Sequence, residues 1–403
     1  MEMTDSVNAT TQLMDDSELA QDPFPLYAQW REAGPIQHAL TPSGDPVWLV
    51  TRYADVVAAF GDDRLSLSKT HSGTGYRGFA LPPALDANLL SLDPPDHTRL
   101  RKLVNREFTA RRVENLRADV VAIADDLLAT MNIDTGVDLV QTYAVPLPLT
   151  VIGRLLGVPD KDQPDFRAWT TSLMSPASAA EAKSALGKIE AFLRELIGHK
   201  RRTPGDDLLA GLVAAHDGGD CLSEDELTSL AFLLLWAGYE VTVDLIGVST
   251  LELLRRPALW ATVREQPERL PQLVEELVRV VSPTPVSIRR FAREPLTIGG
   301  TDIPRGATVM LLIAAAHRDP ARFDAPDTLD PDRDVRAAQL GFGYGVHYCL
   351  GAPLARMETA VALHRLATRF PHLALDPESP PQWRPSWRSR GLLTLPVVPH
   401  TGE

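Results

Sequence analysis

A cysteine able to hold a metal stands at 349, within Phe342-Gly343-Tyr344-Gly345-Val346-His347-Tyr348-Cys349-Leu350-Gly351, and Ala352-Pro353-Leu354-Ala355-Arg356 follows at once. Gly343, Gly345 and Gly351 permit tight bends and the close approach of a flat ligand. Amides after Cys349 can turn back on its sulfur, and the positive end of a helix starting there favours thiolate over thiol. A thiolate so placed is an axial ligand for haem iron and pushes electron density toward O–O cleavage. A cysteine taken singly is more often a small buried hydrophobe, so the rest of the chain has to agree.

The second group of chemical residues is Ala237-Gly238-Tyr239-Glu240-Val241-Thr242. Ser223-Glu224-Asp225-Glu226 reads as a capping box, Ser at the N-cap and Glu at the third helical position. No proline follows before Pro257, so the spacing predicts a helix of about 33 residues, roughly 50 Å long. Leu230 to Ala237 is apolar on every face, which places this helix in the centre of the molecule. A carboxylate in its middle, Glu240, is unfavourable unless paired or used. The small residues one turn earlier leave a groove for a diatomic ligand. The alternative is a solvated Glu at an ordinary kink.

Cationic residues form a third group. Asp93-Pro94-Pro95-Asp96-His97 reads as a helix start with Asp93 as cap and Pro94 at the first helical position. His97 and Arg101 then share a face. Arg290 and His347 supply two more positive groups, and Arg forks suit carboxylates. Glu276 and Arg279, three apart on one helix, are a common surface pair. Arg99, Lys102, Arg106, Arg111 and Arg112 form a basic cluster that could dock an acidic partner or be an ordinary solvated face.

The elements that must position these groups are mostly helices. The pattern is helical from Glu114 to about Gly218, from Ser223 to Val281 and from Pro353 to Arg369, with short strands near 47–51, 286–292, 296–298 and 308–312. His71–Leu89 reads as a long functional or disordered loop, and the gap from Trp169 to Ala180, with Met174-Ser175-Pro176, as a mobile lid. No repeat or linker divides the chain. Residues 1–20 are expected to be a disordered tail and 21–403 one domain.

The chain has 403 residues and a net charge of −13, which disfavours nucleic acid as a partner. Cys221 and Cys349 are its two cysteines, which argues for a reducing compartment rather than a disulfide framework. No apolar run is long enough for a bilayer span and the N-terminus lacks a signal sequence, so a cytoplasmic protein is expected. Six of the 40 basic residues are Lys and the rest Arg, a bias that fits a GC-rich genome.

The Cys349 segment resembles the haem-binding loop of the cytochrome P450 family, with Phe342, Gly345, Cys349 and Gly351 in matching positions. Residues 237–242 resemble the family's oxygen-binding motif, Ala/Gly-Gly-x-Asp/Glu-Thr. Ala237, Gly238 and Glu240 match, but Val241 holds the Thr position and Thr242 lies one residue on, about 100° round the helix. Val has the shape of Thr without its hydrogen bonding, so the family's usual proton relay is in doubt. A substrate-held water could replace it, Thr242 could reach in, or the chemistry could need less controlled protonation. The first is favoured, with Glu240 delivering protons through water.

The resemblance implies an α-rich triangular prism with a small β portion, burying haem b between the Ser223 helix and the Cys349 loop. It implies Cys349 as the iron ligand and His97, Arg101, Arg290 and His347 as partners of the haem propionates. Phe342, Gly343, Gly351, Ala237 and Gly238 would line the haem. Glu276, Arg279 and Arg333 would be a buried structural trio that fixes the Cys loop. The reaction implied is insertion of one atom of O2 into a C–H bond or alkene, with two electrons from a ferredoxin and its reductase. The style is that of soluble actinobacterial enzymes that tailor macrolides and other polyketides, acting as monomers without a membrane. Trp236, Val241, Val286, Ile288 and Leu392-Leu393 are the expected pocket wall, mostly apolar, which suits a neutral hydrophobic substrate. A peroxide-using or coupling oxidase, and a haem protein that binds ligand without oxygenating it, are the competing readings.

Overall fold

The computed structural model describes residues 12–75, 81–86, 88–174, 178–217 and 222–399. Its organising element is the helix Glu224–Leu254, which starts on the expected capping box: Ser223 Oγ accepts from the Glu226 amide at 3.1 Å and the Ser223 amide donates to Glu226 Oε2 at 2.8 Å. By length and composition this helix could cross a membrane, but most of it is buried in protein. It is packed by Pro146–Leu155, Ala179–Arg202, Leu270–Val281 and Ala352–Arg369. Its apolar sequence is therefore that of a core helix, exposed at its acidic first turn and again around residue 237.

Six strands form the main sheet, in the order Gln12–Leu13, Ile36–Leu40, Pro46–Val50, Thr308–Leu311, Arg290–Ala292, Leu65–Ser66. Pro46–Val50 runs parallel to Thr308–Leu311, with Trp48 opposite Val309, and Arg290 pairs antiparallel with Val309. The sheet thereby fixes Arg290, one of the expected haem partners, on a rigid strand. The C-terminal segment adds small hairpins, Gln382–Trp383 against Leu392–Thr394 and Leu373–Leu375 against Pro396–Pro399.

Two expectations are corrected. The irregular tail does not extend to residue 20: Gln12–Leu13 is a strand, Asp16–Gln21 a helix, and Met14, Leu19 and Ala20 are buried. Residues 1–11 lie outside the described residues. Nor does Asp93 cap a helix. That helix is Asp96–Glu107, and the Asp93 carboxylate instead accepts from the Leu67 amide at 2.9 Å, from Arg293 at 2.7 Å and from the Ser66 hydroxyl. Burial raises this carboxyl's pKa, but those three donors outweigh it and hold it below its usual value.

The expected lid narrows too, because Gln163–Met174 is one helix running through Trp169; Ser175 and Pro176 lie outside the described residues. Of the His71–Leu89 loop, residues 76–80 and 87 are likewise outside. The described parts are anchored by the Gly73 amide on Gly306 O at 2.9 Å, by Lys69 on Asp86 at 2.6 Å, and by Asn88 Nδ2 on Ser229 Oγ of the central helix at 3.2 Å.

Candidate active site

The Cys349 loop closes on itself. The Cys349 amide donates to Phe342 O at 2.8 Å, and the Gly343 amide to Leu340 O at 2.8 Å. Gly343 and Gly345 both sit at φ +73°, a left-handed conformation that side chains with a Cβ rarely adopt. The sulfur is exposed, and the helix Ala352–Arg369 starts three residues later. Burial pushes the thiol's pKa up, while the Gly351 amide, Arg101, the Ala352 amide and Arg356 pull it down. Burial prevails, so the helix end alone does not hold a thiolate. A metal ion at the sulfur deprotonates it outright.

The loop is braced from behind. Arg356 lies over the Phe342 ring, 4.4 Å from its centroid, and binds Glu275 at 2.6 Å. Next to Glu275 is the expected trio. Glu276 and Arg279, both fully buried, meet at 2.7 Å, and Arg333 reaches Glu276 at 3.2 Å. Arg279 also donates to the carbonyls of His317, Pro326 and Thr328, and the Asp330 amide donates to Glu276. His317 joins in: its Nε2 accepts from the Leu340 amide at 2.7 Å, which leaves Nδ1–H for Ser282 Oγ at 2.9 Å. Burial and then Arg279 push its pKa down to about 3, so this histidine is neutral. Sequence reading missed Glu275, Arg356 and His317 because their partners are far away along the chain.

Above the loop stands a cluster of basic groups that feel one acidic side chain, Asp93, which is already engaged by Ser66, Leu67 and Arg293. The rings of His97 and His347 are 4.1 Å apart, and both ring nitrogens of buried His97 lack partners. Arg290, on its strand, is buried with Nε unpartnered. Burial, then His97 and Arg290, push the His347 pKa down to about 3; burial lowers Arg290 to about 10; burial and then Arg101 lower His97. Basic groups that depress one another's protonation, with buried ring and guanidinium nitrogens left over, suit an anion that would restore their charge. The two propionates of haem fit this need, and Cys349 fits its iron. Arg290→Ala should therefore weaken haem retention by about 1.5–3 kcal/mol, tenfold to a hundredfold, while leaving the Cys349 ligation spectrum in place. Competition for haem against a scavenging globin measures it.

The central helix opens at one place. Ala237 is exposed and Leu234, Gly238 and Val241, its neighbours on the same face, are half-buried. Gly238 is also where Ile152 approaches, 3.2 Å from where a Cβ would stand. Thr242 does not reach in. It is buried in an unbroken helix and its hydroxyl donates to Gly238 O at 3.1 Å. Glu240 is paired and partly exposed: Arg384 binds it at 2.5 Å and binds Asp244, one turn on, at 2.9 Å.

The residues of the expected pocket wall differ in exposure. Val286 is 3% exposed and packs in the core under the sheet, with Tyr27, Trp30 and Leu49. Leu392 is 2% exposed and belongs to the main core, whereas Leu393 beside it is 39% exposed and presents the accessible face of that strand. Ile288 is half-buried; Trp236 is too, its ring 5.8 Å from that of Phe232.

Known proteins are similar to this chain over almost its whole length. Residues 149–398 match the family description "Cytochrome P450". The monooxygenase PikC of Streptomyces venezuelae is 44% identical over 94% of this chain and 92% of its own length. The 6-deoxyerythronolide B hydroxylase of Saccharopolyspora erythraea is 42% identical over 93% and 96%. The tirandamycin C-bound structure of the monooxygenase TamI superposes with a TM-score of 0.88 at 43% identity, covering 96% of this chain and 99% of that one.

Proposed function

The chain belongs to the cytochrome P450 family, and on that premise we propose that it hydroxylates or epoxidises a neutral, hydrophobic macrolide or polyketide in the cytoplasm, as a monomer. Haem b, when bound at Cys349, supplies the activation of O2 and the insertion of one of its atoms. The residues of the chain bind and orient the reactants. Cys349 donates charge to the iron, and His97, Arg101, Arg290 and His347 neutralise the propionates. Leu234, Ala237 and Val241 give the reaction space an apolar wall, which excludes water and favours an uncharged substrate. Glu240 holds the proton-donating position on that helix.

The observation that carries this reading is an exposed alanine in the middle of a buried helix, together with an exposed sulfur at the head of a helix packed against it. The substrate class is supported by the names of the relatives, a 6-deoxyerythronolide B hydroxylase among them. Electrons are assigned to a ferredoxin and its reductase. The exposed Lys102 and Arg111 suit an acidic carrier, whereas Arg99 is engaged by Glu226. A second reading, peroxide use or oxidative coupling on the same fold, is favoured by Val241 and by the commitment of the Thr242 hydroxyl to Gly238.

An optical titration of the ferric holoenzyme against macrolactones, linear polyketides, terpenoids and fatty acids tests the proposal. Macrolactones or linear polyketides should drive the iron from low to high spin. If only terpenoids or fatty acids do so, the substrate class is wrong. If hydrogen peroxide then supports product as well as the reductase chain does, the second reading replaces the first.

A further inference from the structure

The central helix carries two carboxylates on one guanidinium. Glu240 and Asp244 are one turn apart on the same face, and Arg384, from the C-terminal hairpin region, spans them. Its Nη1 meets Glu240 Oε1 at 2.5 Å and Asp244 Oδ2 at 3.3 Å, and its Nη2 meets Asp244 Oδ1 at 2.9 Å. The Asp244 side chain is completely buried, whereas Glu240 is 26% and Arg384 21% exposed. The backbone at Gly391 seals Asp244 in: a Cβ there would lie 1.8 Å from Oδ1, so no larger residue fits and water cannot enter from that side.

The charges do not balance. If both carboxyls are ionised, one cation faces two anions, and the surplus charge falls on the group with no access to water. Other titratable groups nearby do not offset it. Tyr239 is buried, with a hydroxyl pushed up to about 12, chiefly by burial, and is therefore neutral. On the elements packed around this helix, Tyr143 gives its hydroxyl to Ala362 O, Asp138 accepts from the Val140 and Leu395 amides, and Glu358 on the Ala352–Arg369 helix feels burial and no charge. Burial raises Asp244, Arg384 opposes it and Glu240 reinforces it, leaving the group at about 7.

We propose that Glu240, Asp244 and Arg384 form a proton-holding cluster, in which the two carboxyls share one proton at neutral pH and Asp244 keeps Glu240 supplied as the donor beside Val241. The inference rests on the oxygenase reading above. The shared proton passes from the Asp244 O–H to Glu240 and leaves a Glu240 carboxyl oxygen toward the reaction space. Both groups are then carboxylates on Arg384, until one proton from solvent refills the pair through the exposed edge of Glu240. Nothing is oxidised or reduced in these transfers. Asp244 is here a positioning residue that stores the proton, one that an alcohol at 241 would otherwise help to convey.

Infrared spectroscopy of the ferric holoenzyme, without substrate or turnover, tests the store directly. The wild-type protein should show the C=O band of a buried carboxylic acid that disappears as pH rises through about 7. The band should shift in deuterium oxide, shift again on labelling aspartate with carbon-13 at the carboxyl, and be lost in Asp244→Asn. Product formation should decline across the same pH interval in the wild type and lose that inflection in Asp244→Asn. Absence of any aspartate-labelled acid band between pH 5 and 7 overturns the proposal, even if the variant fails to fold, because the labelling uses wild-type protein. A failed substrate titration would leave the infrared result unaffected, so the two readings fall separately.

Discussion

Cys349→Ser should lower product formation by roughly a thousandfold or more, equivalent to at least about 4 kcal/mol of activation free energy. The reason lies in the division of labour at the site. The cations that would hold the propionates stand on other elements: His97 and Arg101 on the helix Asp96–Glu107, Arg290 on a strand of the main sheet. They do not depend on the sulfur, so haem should still enter the serine variant, more weakly. What disappears is electron donation, because a serine hydroxyl stays protonated where a metal-bound thiol ionises. The absorption band of the reduced enzyme with carbon monoxide should move away from its thiolate position while haem content persists. The chain's other cysteine is Cys221, so a variant that keeps both the band and the turnover would assign the iron to a different ligand. Together with Arg290→Ala, which should loosen haem without moving the band, this separates retention from reactivity.

Much of the site could be read from the sequence because its motifs are local. The Cys349 loop and the Ser223 capping box each lie within one turn or one loop, so residue spacing places their atoms. Glu276 and Arg279 are equally local, but spacing reads them as a surface pair; their burial and the part of Arg333 follow from the resemblance to the family. Asp93 was misread by the same local reasoning. An aspartate before two prolines looks like a helix cap, but its carboxylate is claimed by Ser66, Leu67 and Arg293, the last of them 200 residues away. The exposure of the pocket-wall residues was not legible for a different reason. Neighbouring residues of a strand face opposite ways, so Leu392 and Leu393 could be told apart only by the register of that strand with Gln382–Trp383. Val286 packs in a core that includes Met14 and Leu19, from a segment expected to be a tail. The Asp244–Arg384 contact joins residues 140 apart. One signal for it was present in the sequence: a second acid four residues after Glu240, in a stretch from Leu227 to Leu251 that holds no other charge.

Glu276→Gln should destabilise the whole protein by about 3–5 kcal/mol, the range for breaking a fully buried ion pair by removing one partner. The side chains of Glu276 and Arg279 have no exposure, so Arg279 would be left as an uncompensated buried cation. The amide keeps the shape and can still accept one hydrogen bond, but it cannot serve Arg279, Arg333 and the Asp330 amide together. Arg279 in turn organises the carbonyls of His317, Pro326 and Thr328, the stretch that leads to the Cys loop. For a chain of this length the melting temperature should fall by roughly 4–6 °C, with haem lost in the same transition. Glu275→Gln is the contrast. Its partner Arg356 is 20% exposed and reaches the loop directly through Phe342, so a change there should loosen haem while moving the melting temperature less. Calorimetry of both variants with haem release followed in parallel decides the matter. If Glu276→Gln melts within about 1 °C of the wild type, the trio is not what holds the loop. If the two variants are indistinguishable in both readouts, Glu275 and Glu276 form one network, and the separation of global from local support fails.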